Sequence, residues 1–327
     1  MDHGSPSALG RWPAQSTKTH FVVVGHGQGS HRKMILVTGA AGKTGSAIIR
    51  ALSAKGRAVR ALVHRPEQVQ QVEALGAQEA LVGDMRLPET LERAARGTAA
   101  IYHICPNMSP DEVGIGQAAI TAARAAGLER FVYHSVLHPQ TEAMPHHWLK
   151  LRVEERLFES GLAYTILQPA AYMQNVLAHW DRIVGQGILP VPYAVETRLG
   201  MVDLDDVAAA AAIVLTEPGH TGATYELAGA EVLSQIEVAR TLEEHLRRPV
   251  RAETVPFADW ERGARSAGLD NYQIETLIEM FRYYERHGLW GNAHVLEWLL
   301  RRPATTFAAF VARTAQELSP PRPAAAE

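Results

Sequence analysis

The chain has 327 residues, 46% hydrophobic and 20% charged, with a formal net charge of −3. That length carries one large or two modest domains with a substantial core and excludes disorder of the whole, while the lack of a basic excess argues against a polyphosphate partner and so against nucleic acid. A single cysteine, Cys105, excludes an internal disulfide and fits a reducing, cytoplasmic setting, and no apolar run approaches the ~20 residues of a membrane span.

Residues 1–33 are polar and turn-rich, show neither helical nor strand period, lack the apolar core of a signal peptide, and read as a disordered extension. Within them FVVVGHGQGSHRK imitates a strand with a Gly-rich loop, but Ser30 stands where the third glycine belongs, and Met34, directly ahead of the next strand, is a candidate functional start. From Met34 strand-length apolar runs alternate with amphipathic helices: MILVT then 44–55, RAVRALVH then 66–75, QEALVG then 88–96, TAAIYHIC then 111–126, RFVYHSV then 146–160, and AYTILQP. Gly56, Gly76, Gly97, Gly127 and Gly161 stand where these helices end, as caps at positive φ. The alternation predicts an α/β fold, a doubly wound parallel sheet with right-handed crossovers and ligands beyond the carboxyl ends of the strands.

After about Ala171 the regularity weakens. MVDLDDVAAAAAIVL reads as a strand end, a capping Asp205 or Asp206 and a helix; TGATYELAG reads as a strand; and from Ser234 onward the chain is mostly helical. The expected organisation is a dinucleotide-binding Rossmann domain over 34–230, part of a substrate lobe entering after about 171, a smaller, mainly helical C-terminal substrate lobe over 231–318, and a tail over 319–327. The alanine runs suit either a core or a homodimer interface.

In MILVTGAAGKTGSAIIRAL a P-loop requires glycine five positions before Gly42-Lys43-Thr44, and Val37 stands there, inside the strand. Gly39, Gly42 and Gly45 instead fall at the strand-to-helix turn, where glycines permit positive φ and close approach of backbone N–H groups to a pyrophosphate. The next strand ends in His64 and Arg65 rather than an acidic residue, so a 2′-phosphate is accommodated and NADPH is favoured over NADH. Asp84, in VGDM, ends the third strand and can accept a hydrogen bond from an adenine amino group. The candidate cofactor contacts are Gly39, Ala41, Gly42, Lys43, Thr44, Gly45, His64, Arg65, Asp84, Met85, Pro106 and Lys150.

Ser135 ends the fifth strand, and His146 and Lys150 share one face of the next helix at i and i+4. Lys150 is the only lysine after Lys55, in a chain that otherwise uses arginine, which points to a site needing a compact, titratable ammonium. Ser135, His146 and Lys150 are the catalytic candidates. Tyr172, Met173 and Asn175, after the sixth strand, are the candidate substrate wall, with Trp148, Phe281 and Tyr284 as weaker candidates for the opposite wall. His134, His138, His146 and His147 lie close in sequence, but without thiolate or carboxylate company no metal is expected.

Together VTGAAGKTG, VRALVHRPEQ, VGDM, FVYHSV, LKLRVEERLFESGLAYTILQPAAYMQNV and LLRRPATTFAAFV resemble the NmrA-like branch of the atypical short-chain dehydrogenases/reductases, over about 34–313. The resemblance implies a Rossmann domain with a small helical substrate lobe and NADP(H) as ligand, in a family with quinone and dye reductases and with regulators that bind the dinucleotide without evident turnover. The broader superfamily pairs Ser with Tyr-x-x-x-Lys, tyrosine as proton donor and lysine lowering its pKa; here His146 occupies the tyrosine position, and none of the nine tyrosines has lysine four residues on. Either the imidazole supplies the proton, against the pull of Lys150 toward its neutral form, or the reduced quinone takes one from water. The expected function is hydride transfer from NADPH to a small electron-poor acceptor such as a quinone. The alternative is a redox sensor that binds NADP(H) and reports to a protein partner.

Overall fold

The structure, a computed structural model, describes residues 34–318; the expected extension over 1–33, its decoy loop and the tail over 319–327 lie outside the described residues. The first half runs β1 (Ile35–Val37), α1 (Lys43–Ala54), β2 (Val59–Val63), α2 (Gln68–Ala74), β3 (Glu79–Val82), α3 (Pro88–Ala95), β4 (Ala100–His103), α4 (Glu112–Ala126), β5 (Arg130–His134), α5 (Pro145–Phe158) and β6 (Tyr164–Pro169). A 3-10 turn (Met173–His179) then leads into α6 (Trp180–Gln186), β7 (Ile188–Val191), β8 (Arg198–Leu199), α7 (Leu204–Thr216) and β9 (Ala223–Leu227). The chain closes with β10 (Leu233–Ser234), α8 (Gln235–Leu246), β11 (Arg251–Thr254), α9 (Phe257–Ser266), α10 (Asn271–His287), α11 (Ala293–Leu300) and α12 (Phe307–Leu318).

Seven strands form one parallel sheet in the order β3-β2-β1-β4-β5-β6-β9, with Ile35 facing Val59 on one side and Ala100 on the other. The strand order reverses between β1 and β4, and the crevice at that switch point is where a doubly wound sheet binds its ligand. Strand side chains alternate between two cores. Ile35, Val37, Tyr102, Val132 and Leu167 face α1 and α7, whereas Leu36, Ile101, Phe131, Tyr133 and Ile166 face α3, α4 and α5. Both faces are covered, which is why these strands read as continuous apolar runs.

The five predicted capping glycines all take positive φ, from 64° at Gly127 to 104° at Gly76. The cap of α7 differs from expectation: Asp203, not Asp205 or Asp206, is the N-cap, its carboxylate accepting from the Asp205 N–H. Asp206 lies one turn inside, buried, where its carboxylate binds Arg302 at 2.5 Å and accepts from the Thr305 N–H at 2.7 Å. The helix starts at Leu204, itself buried, two or three residues earlier than a cap at Asp205 or Asp206 would place it. The alanine run of α7 lies in the core against α1, with Ala210, Ala211 and Ala212 fully buried.

Beyond β6 the path alternates between the main sheet and the helical end of the chain. Parallel β7 and β11 and antiparallel β8 and β10 join residues 188–199 to residues 233–254. Residues 235–318 hold five helices, two of them opened by capping boxes: Ser234 with Glu237 at α8, and Asp270 with Gln273 at α10. Among the described residues no helix is long and apolar enough to cross a membrane.

Candidate functional site

At the switch point β1 passes into α1 through a turn that only glycine can make. Gly39 has φ 58°, and a Cβ there would lie 3.1 Å from the Ile104 carbonyl oxygen. Gly42 is the exposed N-cap of α1. On Gly45 a Cβ would lie 2.4 Å from Gly39 O and 2.6 Å from Ala40 Cα, so its absence lets the helix lie directly on the turn. No side chain caps α1, and its first turn has no acidic residue. Its leading N–H groups and the positive end of its dipole therefore stand ready for an anion, and the donor set fits a dinucleotide pyrophosphate. Lys43 is exposed beside them, with desolvation holding its ammonium below the usual range.

Next to the turn, Ala41 is half-buried and its carbonyl accepts from Gln71 Nε2 at 3.2 Å, tying α2 to the phosphate region. His64 and Arg65 are exposed after β2, and their backbone N–H groups donate to Gln68 Oε1 at 3.1 and 3.0 Å. The loop is thereby set, while the Arg65 guanidinium makes no hydrogen bond or ion pair among the described residues. Asp84 is engaged within its own loop: Arg86 donates to it from the backbone N–H, from Nε and from Nη2, the last at 2.7 Å. The Arg86 hydrogen bonds hold the Asp84 carboxyl below its usual range. Met85 packs half-buried against the α3–α5 core, and Pro106 is exposed after β4.

The segment after β6 reaches back to the glycine turn. Lys43 Nζ donates to Asn175 Oδ1 at 3.3 Å, and Thr44 Oγ1 to the Tyr172 hydroxyl at 3.3 Å. Tyr172 also meets His134 Nε2 at 2.7 Å, and His134 Nδ1 meets the Tyr102 hydroxyl at 2.7 Å. A hydrogen-bonded chain thus runs from the first turn of α1 across the strand ends of β5 and β4. Burial holds His134 at about 3, ahead of the nearby Lys150 charge, and pushes the Tyr172 phenol up, with the Thr44 hydrogen bond pulling the other way. Met173 is buried in the core, so its side chain offers no open surface.

The three catalytic candidates occupy the opposite face of the sheet, where Lys150 and Ser135 are both engaged by buried carboxylates. Lys150 is 5% exposed; its ammonium pairs with Glu112 Oε1 at 3.0 Å and donates to the His134 carbonyl at 3.2 Å. The same Glu112 oxygen accepts from the Tyr133 hydroxyl at 2.7 Å. Ser135 donates its hydroxyl to Glu154, which also accepts from Gln168 Nε2 at 2.9 and 3.0 Å. Burial pushes the Glu154 carboxyl up against those hydrogen bonds. His146 is buried with no partner at Nδ1; burial first and Lys150 second hold it well below its usual range, so its imidazole is neutral at neutral pH.

Sequence reasoning passed over Glu112, Glu154, Gln168 and Tyr102, and weighed His134 only as a metal ligand. One signal was available: Glu154 lies four residues after Lys150, on the same helix face. Nothing local marks Glu112 or Tyr102. A cavity of about 560 Å³ bordered by His138, Tyr283, His287, Trp290 and Asn292 opens where the loop after β5 meets the end of α10. His138, in that loop, takes φ 55°, a strained conformation for a residue with a side chain. Of the weaker candidates, Trp148 is half-buried, Tyr284 is buried, and Phe281 packs edge-on against Trp260 at 4.9 Å. Among the described residues no group of three or more metal-ligating side chains is placed to hold an ion.

The profile of the NmrA-like family matches residues 31–318. An NAD(P)H azoreductase from Xenophilus azovorans is 32% identical over 279 residues, covering 85% of this chain and 96% of the relative. Quinone oxidoreductase 2 from Escherichia coli (strain K12) is 28% identical, covering 84% and 96%. The crystal structure of the Escherichia coli NADPH-dependent quinone oxidoreductase in complex with NADPH superposes with a TM-score of 0.75, covering 86% of this chain and 99% of that one at 28% identity.

Proposed function

The chain belongs to the NmrA-like family, and on that premise we propose that it is an NADPH-dependent oxidoreductase passing hydride to a small, flat, electron-poor acceptor of the quinone or azo-dye class. The observation that carries this is the glycine turn: Gly39 at positive φ, Gly42 as the helix N-cap and Gly45 with no room for a Cβ, under a helix end with no protein anion to cap it. The azoreductase and the quinone oxidoreductase, alike over nearly their whole lengths, support it. A cytoplasmic setting belongs to the same reading, in keeping with a lone cysteine.

Bound NADPH supplies the hydride. In this reading the first-turn N–H groups of α1 hold the pyrophosphate, and Arg65 takes the 2′-phosphate as a charge-assisted pair. Tyr172 and Asn175, tied to Thr44 and Lys43, wall the crevice where the acceptor enters. A quinone that accepts hydride becomes a stabilised phenolate able to take its proton from water, so a neutral, buried His146 is no obstacle to that substrate.

The test is the absorbance of the nicotinamide band during incubation of NADPH with quinones and azo dyes. Steady oxidation with at least one acceptor is expected. Tight NADPH binding with no oxidation by any acceptor would instead favour the dinucleotide sensor, a reading supported by the capture of Ser135 and Lys150 by buried carboxylates.

A further inference from the structure

An azo bond poses a problem that a quinone does not. Hydride addition to N=N leaves a strongly basic nitrogen anion, and a proton must arrive with the hydride. The tyrosine that serves related folds is missing from α5, and Lys150 on that helix is paired with Glu112. Resting on the oxidoreductase reading, we propose that Tyr172, from the opposite wall, is the catalytic proton donor for azo acceptors, with His134 and Tyr102 as its positioning residues.

The hydrogen bonds themselves set the direction of the chain. Tyr102 is fully buried, and its hydroxyl has one partner among the described residues, His134 Nδ1 at 2.7 Å. A hydroxyl hydrogen left unbonded in the interior is costly, so Tyr102 donates and Nδ1 accepts. Neutral His134 then carries its hydrogen on Nε2 and donates it to the Tyr172 oxygen at 2.7 Å. Thr44 Oγ1 donates to the same oxygen from the first turn of α1.

Tyr172 therefore accepts twice, and its own proton is committed to neither neighbour. Its ring is half-buried, and its hydroxyl meets Thr44 in the first turn of α1, where the leading N–H groups stand ready for a pyrophosphate. Two donors converging on a phenol oxygen stabilise the phenolate left when the proton departs, which is the service lysine performs in the Tyr-x-x-x-Lys arrangement. Burial meanwhile keeps the phenol protonated at neutral pH.

The step balances. Hydride with its electron pair bonds to one nitrogen, the N=N π pair moves to the other, and that nitrogen takes the Tyr172 proton. The O–H bond breaks, its electrons stay on the phenol oxygen, and solvent returns a proton to it. The product is the hydrazo compound.

Two measurements test the proposal. In the protein without dinucleotide, 15N NMR of labelled histidine should show His134 protonated at Nε2 and bare at Nδ1, with that preference lost in Tyr102→Phe. A proton on Nδ1 would overturn the proposal, because Tyr172 would then spend its hydrogen on Nε2. In kinetics, Tyr172→Phe should lower kcat for an azo dye about 100-fold, a far larger fall than it causes for a quinone, whose reduction needs no protein proton. Equal loss with both acceptors, or no loss with the dye, refutes it. Wild-type protein that oxidises NADPH with neither acceptor refutes the oxidoreductase reading instead. Should Tyr172→Phe not fold, Tyr102→Phe carries the kinetic test, with a smaller fall in dye kcat at constant KM expected and an unchanged kcat refuting the proposal.

Discussion

Two polar clusters flank the carboxyl ends of β4 and β5, one on each face of the sheet, and they have opposite characters. Toward α1, Thr44, Tyr172, His134 and Tyr102 form an uncharged chain that ends at the first turn of α1. Toward α4 and α5, Lys150, Glu112, Glu154, Ser135 and Gln168 form a buried charged group in which lysine and serine are each held by a carboxylate. Side chains whose types advertise catalysis are here consumed by one another, because a buried charge must be paired. The group with a proton to spare is made of ordinary hydroxyls and a neutral imidazole.

Acid should break the interior most strongly. Burial holds His103 and His134 at about 3 and His147 at about 4. The folded state therefore refuses protons that the unfolded chain accepts from about pH 6.5 downward. Stability from these groups is complete above that pH and is lost as pH falls through the window between 6.5 and 3–4, at about 1.4 kcal/mol per pH unit for each histidine. Urea midpoints at a series of pH values should fall steeply below pH 6; a flat series would refute it.

Substitution of the closed cluster comes next. Lys150→Ala leaves Glu112 buried and unpaired and should cost about 3–5 kcal/mol of stability, measured by urea unfolding. Lys150→Met combined with Glu112→Gln should recover most of that. Activity lost by Lys150→Ala and restored in the double variant would assign the lysine to structure, sharpening the contrast between the clusters.

On the open side the effects are smaller. Gly45→Ala drives a methyl into the Gly39 and Ala40 backbone and should cost about 1–3 kcal/mol, together with weaker NADPH binding in a fluorescence titration. Arg65→Ala should be the mildest, raising the NADPH dissociation constant about tenfold, the loss of one charge-assisted pair, with no change for NADH. An equal effect on both cofactors would remove Arg65 from the 2′-phosphate.

What the sequence made legible is what local periodicity encodes. Strands β1 to β6, their helices, the positive-φ glycine caps and the glycine turn all follow from patterns spanning a few residues, and each holds in the structure. The cap of α7 was misplaced because Asp203, Asp205 and Asp206 are chemically alike, and only packing around Leu204 selects among them. Residues 173–199 were illegible because their short strands pair with β10 and β11 far along the chain.

The sequence by itself therefore determined the fold class, the dinucleotide turn and the absence of the usual tyrosine, all properties of residue type and spacing. Tertiary structure alone decided who partners whom. Lys150 meets Glu112 across 38 residues of sequence, and Thr44 meets Tyr172 across 128. Such pairings depend on which faces of the sheet two distant segments come to share, and on the cost of leaving a buried polar group unsatisfied. That is why a lysine placed by its spacing for catalysis is held in an ion pair, while a tyrosine taken for a wall stands at the end of a directed hydrogen-bond chain.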